Sequence, residues 1–94
     1  MIKKIGNVSE YEKREILNLY ERKSGLRELS ITLNNPDMSE KLKNILYDKI
    51  SRDMNKTTGL YEEWWKQKSK KYNWESIKGK SWSINFETNE VFIK

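Results

Sequence analysis

Lys68 sits between an aromatic pair, Trp64-Trp65, and Tyr72. An ammonium group held beside ring faces suits a phosphate with an attached base, because the charge neutralises the phosphate while the rings stack on the base. Trp64 and Trp65 are sequence neighbours, so they cannot both occupy the centre of one helical stripe. One ring therefore lies at the margin, facing a ligand, a partner or a second copy of the chain. Lys78-Gly79-Lys80 adds a basic turn whose backbone is open to an anion. Trp64, Trp65, Lys68, Tyr72, Lys78 and Lys80 form the candidate ligand-binding set. Each also has a plainer role: the rings as core, Lys68 snorkelling at a helix end, and the two turn lysines simply solvated.

Catalysis has little to work with. The chain contains no histidine and no cysteine. That removes the commonest general base, the thiol nucleophile and the usual transition-metal ligands. Glu62 and Glu63 are adjacent but point about 100° apart on a helix, too far to converge on one proton or cation. Phosphate loops and dinucleotide fingerprints are missing, and the four glycines stand apart from one another. The expectation is a protein that is not an enzyme and needs no metal and no cofactor.

The 94 residues carry 19 basic and 14 acidic side chains, a net charge of +5. Residues 1–40 hold seven charges of each sign, residues 41–80 hold eleven bases against five acids, and residues 81–94 hold one base against two acids. The excess is thus confined to the middle of the chain. Seven of the eleven aromatic residues lie between Tyr61 and Phe86 and so overlap that basic stretch. Basic residues interleaved with rings suit nucleotides, nucleic acid or acidic peptide. Lys66, Lys68, Lys70 and Lys71 splay around a helix, which disfavours reading of a DNA groove from one face.

The elements that must position these residues follow from periodicity and caps. Ser9-x-x-Glu12 reads as a capping box opening a helix over about residues 10–33. Its apolar stripe changes direction at Ser24-Gly25, so the helix bends or meets two different neighbours. Asn34-Asn35-Pro36 ends it, and Asp37-x-x-Glu40 reads as a second box opening a helix over about 38–72. Leu42, Leu46, Tyr47, Ile50, Met54, Leu60, Tyr61, Trp64, Trp65 and Tyr72 share one stripe of that helix. A charge placed at Leu60 is accordingly expected to destabilise severely. The second helix is longer than the first by roughly 16 Å at 1.5 Å per residue. A break at Thr57-Thr58-Gly59, the C-terminal segment or another protomer must cover the surplus. Trp82, Ile84 and Phe86 alternate, Glu87–Glu90 turn, and Val91-Phe92-Ile93 returns, predicting a hairpin over about 81–94 with Phe86 opposite Val91 and Ile84 opposite Ile93. Residues 2–8 are available as a third strand. The fold class is α+β, mainly α: an antiparallel helical hairpin with one long helix, capped by a C-terminal β-hairpin, in a single small domain spanning 1–94. No apolar run approaches the length of a membrane span, and Met1-Ile2-Lys3-Lys4-Ile5 is too short for a signal peptide, so a cytoplasmic protein is expected.

Several of these features occur together in a known pattern. Val8-Ser9-x-x-Glu12, Glu21-Arg22-Lys23-Ser24-Gly25-Leu26, Trp64-Trp65, Tyr72-x-Trp74-Glu75 and Trp82-x-Ile84-Asn85-Phe86-Glu87-Thr88-Asn89-Glu90 resemble the small CXXX repeat peptide modification system proteins, over nearly the whole chain. The resemblance implies a non-catalytic accessory protein that binds a peptide or the enzyme modifying it, and it assigns no functional residues. Three functions stay open: such an accessory factor, with the edge of the C-terminal hairpin as a strand-addition site; a homo-oligomer of phage or mobile-element type that sequesters an anionic nucleotide signal; and a nucleic-acid-binding regulator, for which a steep salt dependence would be required. A homo-oligomer is the general expectation and is integral to the second function, whereas a membrane partner is expected in none.

Overall fold

The computed structural model describes residues 2–94. The elements run β1 (Lys3–Asn7), α1 (Glu10–Thr32), α2 (Glu40–Lys71), β2 (Trp82–Ile84) and β3 (Glu90–Ile93). Mainly helical α+β architecture is therefore observed, with both helices close to their expected bounds. Neither is interrupted: α1 passes through Gly25 and α2 through Gly59. Among the described residues, no helix is long and apolar enough to cross a membrane.

Backbone capping explains the boundaries. At the start of α1 the Ser9 amide donates to Glu12 Oε1 at 2.9 Å and the Glu12 amide donates to Ser9 Oγ at 3.1 Å, the reciprocal pair of a capping box. The second box does not form as expected. Ser39 caps α2 instead, its Oγ accepting from the Leu42 amide at 3.3 Å, while Asp37 lies in a turn held by Asn35. At the other end of α2, Asn73 takes a left-handed conformation with φ 54° and the Trp74 amide donates to the Ser69 carbonyl at 3.0 Å. This closing turn reverses the chain, and asparagine tolerates the conformation that most side chains avoid. Lys68, Lys70 and Lys71 occupy the last turn, where their charges oppose the helix dipole.

The chain divides into two compact units. One is Met1–Leu17 with Glu63–Lys94, and the other is Asn18–Glu62. The first holds the sheet, in the order β1-β3-β2, with both pairings antiparallel. Residues 3–7 do supply the third strand, and they make β3 the central one. Val91 and Ile93 are buried on one sheet face, whereas Phe92 and Ser83 occupy the other. The hairpin register differs from expectation by two residues: Ile84 faces Val91 and Trp82 faces Ile93. The cause is the turn. Asn85 Oδ1 accepts from the amides of Glu87 and Thr88, the Asn89 amide returns to the Asn85 carbonyl at 2.9 Å, and Asn89 has φ 62°. Phe86 is thereby drawn out of the strand and into a five-residue turn. A shift of two leaves the inward face unchanged, because strand side chains alternate with period two.

Trp64 and Trp65 are buried in this unit, with Ile16, Val8 and Trp74. Trp65 lies 6.0 Å from Trp74 and 6.2 Å from Trp82, ring centre to ring centre. Of the three covers considered for the surplus of α2, the C-terminal segment is the one found. Gly6 makes the arrangement fit, since a Cβ there would stand 2.9 Å from Trp74 Nε1.

The second unit is the helical hairpin of residues 18–32 and 40–62. Arg22 makes a bidentate pair with Asp53, at 2.7 and 2.6 Å from its Nη2, and Lys23 Nζ stands 4.5 Å from the Tyr61 ring centre. Leu26, Leu33 and Thr57 are its buried residues. Leu42, Tyr47 and Leu60, which the stripe places inward, are 46%, 58% and 50% exposed. The stripe is wider than a single facing helix can cover. The severe cost expected for Leu60→Asp is thus corrected to that of a surface change, about 0.5 kcal/mol.

Candidate functional site

The sequence-derived set separates into three places. Trp64 and Trp65 are core residues, 4% and 9% exposed and in edge contact at 4.9 Å. Trp64 Nε1 is buried and finds no acceptor. Lys68 and Tyr72 come together, and what unites them is Glu12. Lys78 and Lys80 lie on an exposed turn closed by the Lys80 amide donating to the Ile77 carbonyl at 3.0 Å, with Gly79 at φ 79° as a tight turn of this kind demands.

Glu12 is almost fully buried yet charged. Its Oε1 accepts from the Ser9 amide and, in a short bond, from the Tyr72 hydroxyl, and its Oε2 accepts from Lys71 Nζ at 2.8 Å. Lys68 Nζ adds charge at 3.8 Å from Oε2 and stands 5.9 Å from the Trp64 ring centre. Burial pushes the Glu12 carboxyl up, but the hydrogen bonds from Lys71, Tyr72 and Ser9 outweigh it and hold the group at about 2. The same contacts raise Lys71 and Tyr72, chiefly through their hydrogen bonds to Glu12. One side chain thus caps α1 and ties it to the end of α2. The sequence disclosed the capping half of this role. The other half depends on partners 59 and 60 residues away, for which the local pattern carries no signal.

A second arrangement lies on the sheet of the same unit. In an antiparallel ladder alternate residues turn their backbone groups toward and away from the neighbouring strand. Ser81 and Lys94 exchange both bonds, and the Asn85 amide donates to the Glu90 carbonyl, so Trp82 and Ile84 direct theirs outward from the sheet edge. Among the described residues those groups meet no partner. The two edges differ in character. β1 is irregular at Ile5 and bears Lys3 and Lys4, which pair with Glu75 and Glu90. Bulges and charges of this sort blunt an edge against further pairing. β2, Trp-Ser-Ile, carries neither charge, proline nor bulge, and its shortness alone limits it. Beside β2, on the outer sheet face, lies a hollow of about 700 Å³ in which Ile2, Phe86 and Phe92 supply apolar walls and Glu87 and Lys94 supply charges.

Lys78 and Lys80, four and two residues before Trp82, flank the start of this edge. Lys94 faces the same end through its pairing with Ser81. The lysine side chains at 78, 80 and 94 have no ion-pair partner among the described residues. Ile2, Phe92 and Lys94 escaped sequence reasoning, although the strand alternation places Phe92 on the face opposite Val91 and Ile93. Among the described residues, no group of three carboxylates gathers to hold a metal ion. No family model, curated protein or solved structure matches this chain.

Proposed function

We propose that this protein is a non-catalytic binding module that captures an extended segment of a peptide or protein along β2, serving as an accessory factor to the enzyme that modifies that segment. The observation that carries the reading is the unblunted β2 edge, whose outward amides and carbonyls at Trp82 and Ile84 stand beside a hollow of mixed apolar and polar lining. Strand addition uses main-chain hydrogen bonds for affinity and pockets for alternate side chains for selectivity. The accessory role rests on the resemblance to CXXX repeat peptide modification system proteins. A nucleotide-sequestering role is the weaker reading, because the cations beside the Trp64 and Tyr72 rings, Lys68 and Lys71, are engaged by Glu12.

The test is a pair of substitutions at one position. Ile84→Pro removes an outward N–H without touching the β2–β3 ladder, a place where an edge strand tolerates proline. Ile84→Ala removes the same side chain but keeps the N–H. Capture of a labelled extended peptide, followed by fluorescence anisotropy, is expected to fall at least tenfold in Ile84→Pro and to persist in Ile84→Ala. Equal binding by both would sink the edge reading.

One observation favours self-association through the hairpin as well. Of ten exposed large apolar residues among those described, seven (Tyr20, Leu29, Ile31, Leu42, Ile45, Tyr47 and Leu60) belong to the 18–62 unit, which buries only Leu26 and Leu33 among its apolar side chains. A second copy of the hairpin would complete a four-helix bundle. Sedimentation velocity is expected to show a dimer that Leu42→Glu with Ile45→Glu converts to a monomer. A wild-type monomer at high concentration would exclude it.

A further inference from the structure

We infer that the segment captured along β2 is acidic at its end nearest Lys78, Lys80 and Lys94 and apolar at alternate positions over the hollow. This rests on the edge reading above and narrows it to one class of partner. The backbone of Trp82 and Ile84 offers pairing to any extended chain, so selectivity must come from what surrounds it. Lys78 and Lys80 precede β2 and Lys94 pairs with Ser81 at its start, and among the described residues none of the three is spent on an internal ion pair. Among the described residues, the only acidic side chain lining the hollow is Glu87, in the turn beyond the far end of β2. Charge along the edge is therefore polarised, positive at the Ser81 end and negative at the turn. An acidic cluster is drawn to the first and repelled by the second, which favours one direction of the added strand.

The hollow sets the rest. A strand lying against β2 turns every second side chain toward the outer sheet face, where Ile2, Phe86 and Phe92 supply the apolar part of the hollow's lining. Residues of valine or isoleucine size suit that space and favour the extended conformation. Because β2 spans three residues, the pairing covers a stretch of about four to six residues, and the flanking charges act just beyond it.

The experiment uses three synthetic peptides sharing a Val-Ser-Val-Ser-Val centre and flanked at both ends by two glutamates, two lysines or two serines. Binding to the full chain is measured at low and at moderate salt. The glutamate-flanked peptide is expected to bind at least tenfold more tightly than the serine-flanked one at low salt, with the lysine-flanked peptide weakest. That preference is expected to shrink as salt rises and to vanish in Lys78→Ala with Lys80→Ala. Equal affinities for the glutamate- and serine-flanked peptides, or tighter binding of the lysine-flanked one, would overturn the charge assignment and leave strand capture standing. Failure of all three peptides to bind would overturn both.

Discussion

Glu12→Ala is expected to lower stability by about 3 kcal/mol at neutral pH, with the difference from wild type closing as the pH falls toward 2. The magnitude has two independent sources. Removing the carboxylate leaves Lys68, 15% exposed, without its counter-charge and deprives the Ser9 amide and the Tyr72 hydroxyl of their acceptor, which places the cost at the lower end of the range for a broken buried pair, about 3 kcal/mol. Linkage agrees: the carboxyl is lowered from 4.5 to about 2 in the fold, and every tenfold change in proton affinity corresponds to about 1.4 kcal/mol. The sign follows from the direction. A carboxyl held below its unfolded value stabilises fully above that value, near 4.5, and the contribution is lost as pH falls through about 2. Glu10, which is exposed, and Glu90, which is half-buried, are also lowered, by their bonds to Lys13 and Lys4, but both act alike in the two proteins. Urea denaturation of wild type and variant across pH 2–7 separates the effect. A gap between them that stays constant with pH would show that Glu12 does not hold its charge in the fold.

Trp65→Ala is expected to cost still more, about 3–5 kcal/mol, the usual range for emptying a buried aromatic site. Trp65 touches three other tryptophans, at 4.9, 6.0 and 6.2 Å, and these come from α2, the reversing turn and β2. No single neighbour can collapse into the space without abandoning its own contacts. Stability for a chain of this size amounts to roughly 5–14 kcal/mol, so the loss is a large share of the whole. The near-ultraviolet circular dichroism of the tryptophan cluster is expected to flatten, together with a lower denaturation midpoint. A variant within about 1 kcal/mol of wild type would mean that the ring is peripheral to the core.

The helical part of the fold was legible because its signals are local. Ser9 and Glu12 cap within one turn, Pro36 stops the chain, and the period of α2 can be read from its own residues. Legibility failed where a side chain at a distance decides. Asn85 builds the turn that shifts the hairpin by two residues, and a sequence of alternating apolar residues fits either register equally well. Leu42 and Leu60 belong to the stripe by period but find no helix opposite them in the hairpin. The candidate site was half legible for the same reason. Lys68 and Tyr72 were grouped by spacing, yet the group that draws them together, Glu12, lies some sixty residues away and already had a local role as a cap. The hairpin edge was foreseen as a place for strand addition. That β2, rather than β1, is the unprotected side depends on the order β1-β3-β2, which only the tertiary structure reveals.

Amide hydrogen exchange at Trp82 and Ile84, read residue by residue with and without the glutamate-flanked peptide, tests the central claim most directly. In the free protein both amides are expected to exchange rapidly, since they face away from β3, while the Ser83 and Asn85 amides are protected by the ladder. Saturating peptide is expected to slow exchange at Trp82 and Ile84 at least tenfold and to leave the β1 edge unchanged. Peptide that binds without protecting these two amides would place the binding elsewhere on the molecule and contradict strand capture at β2.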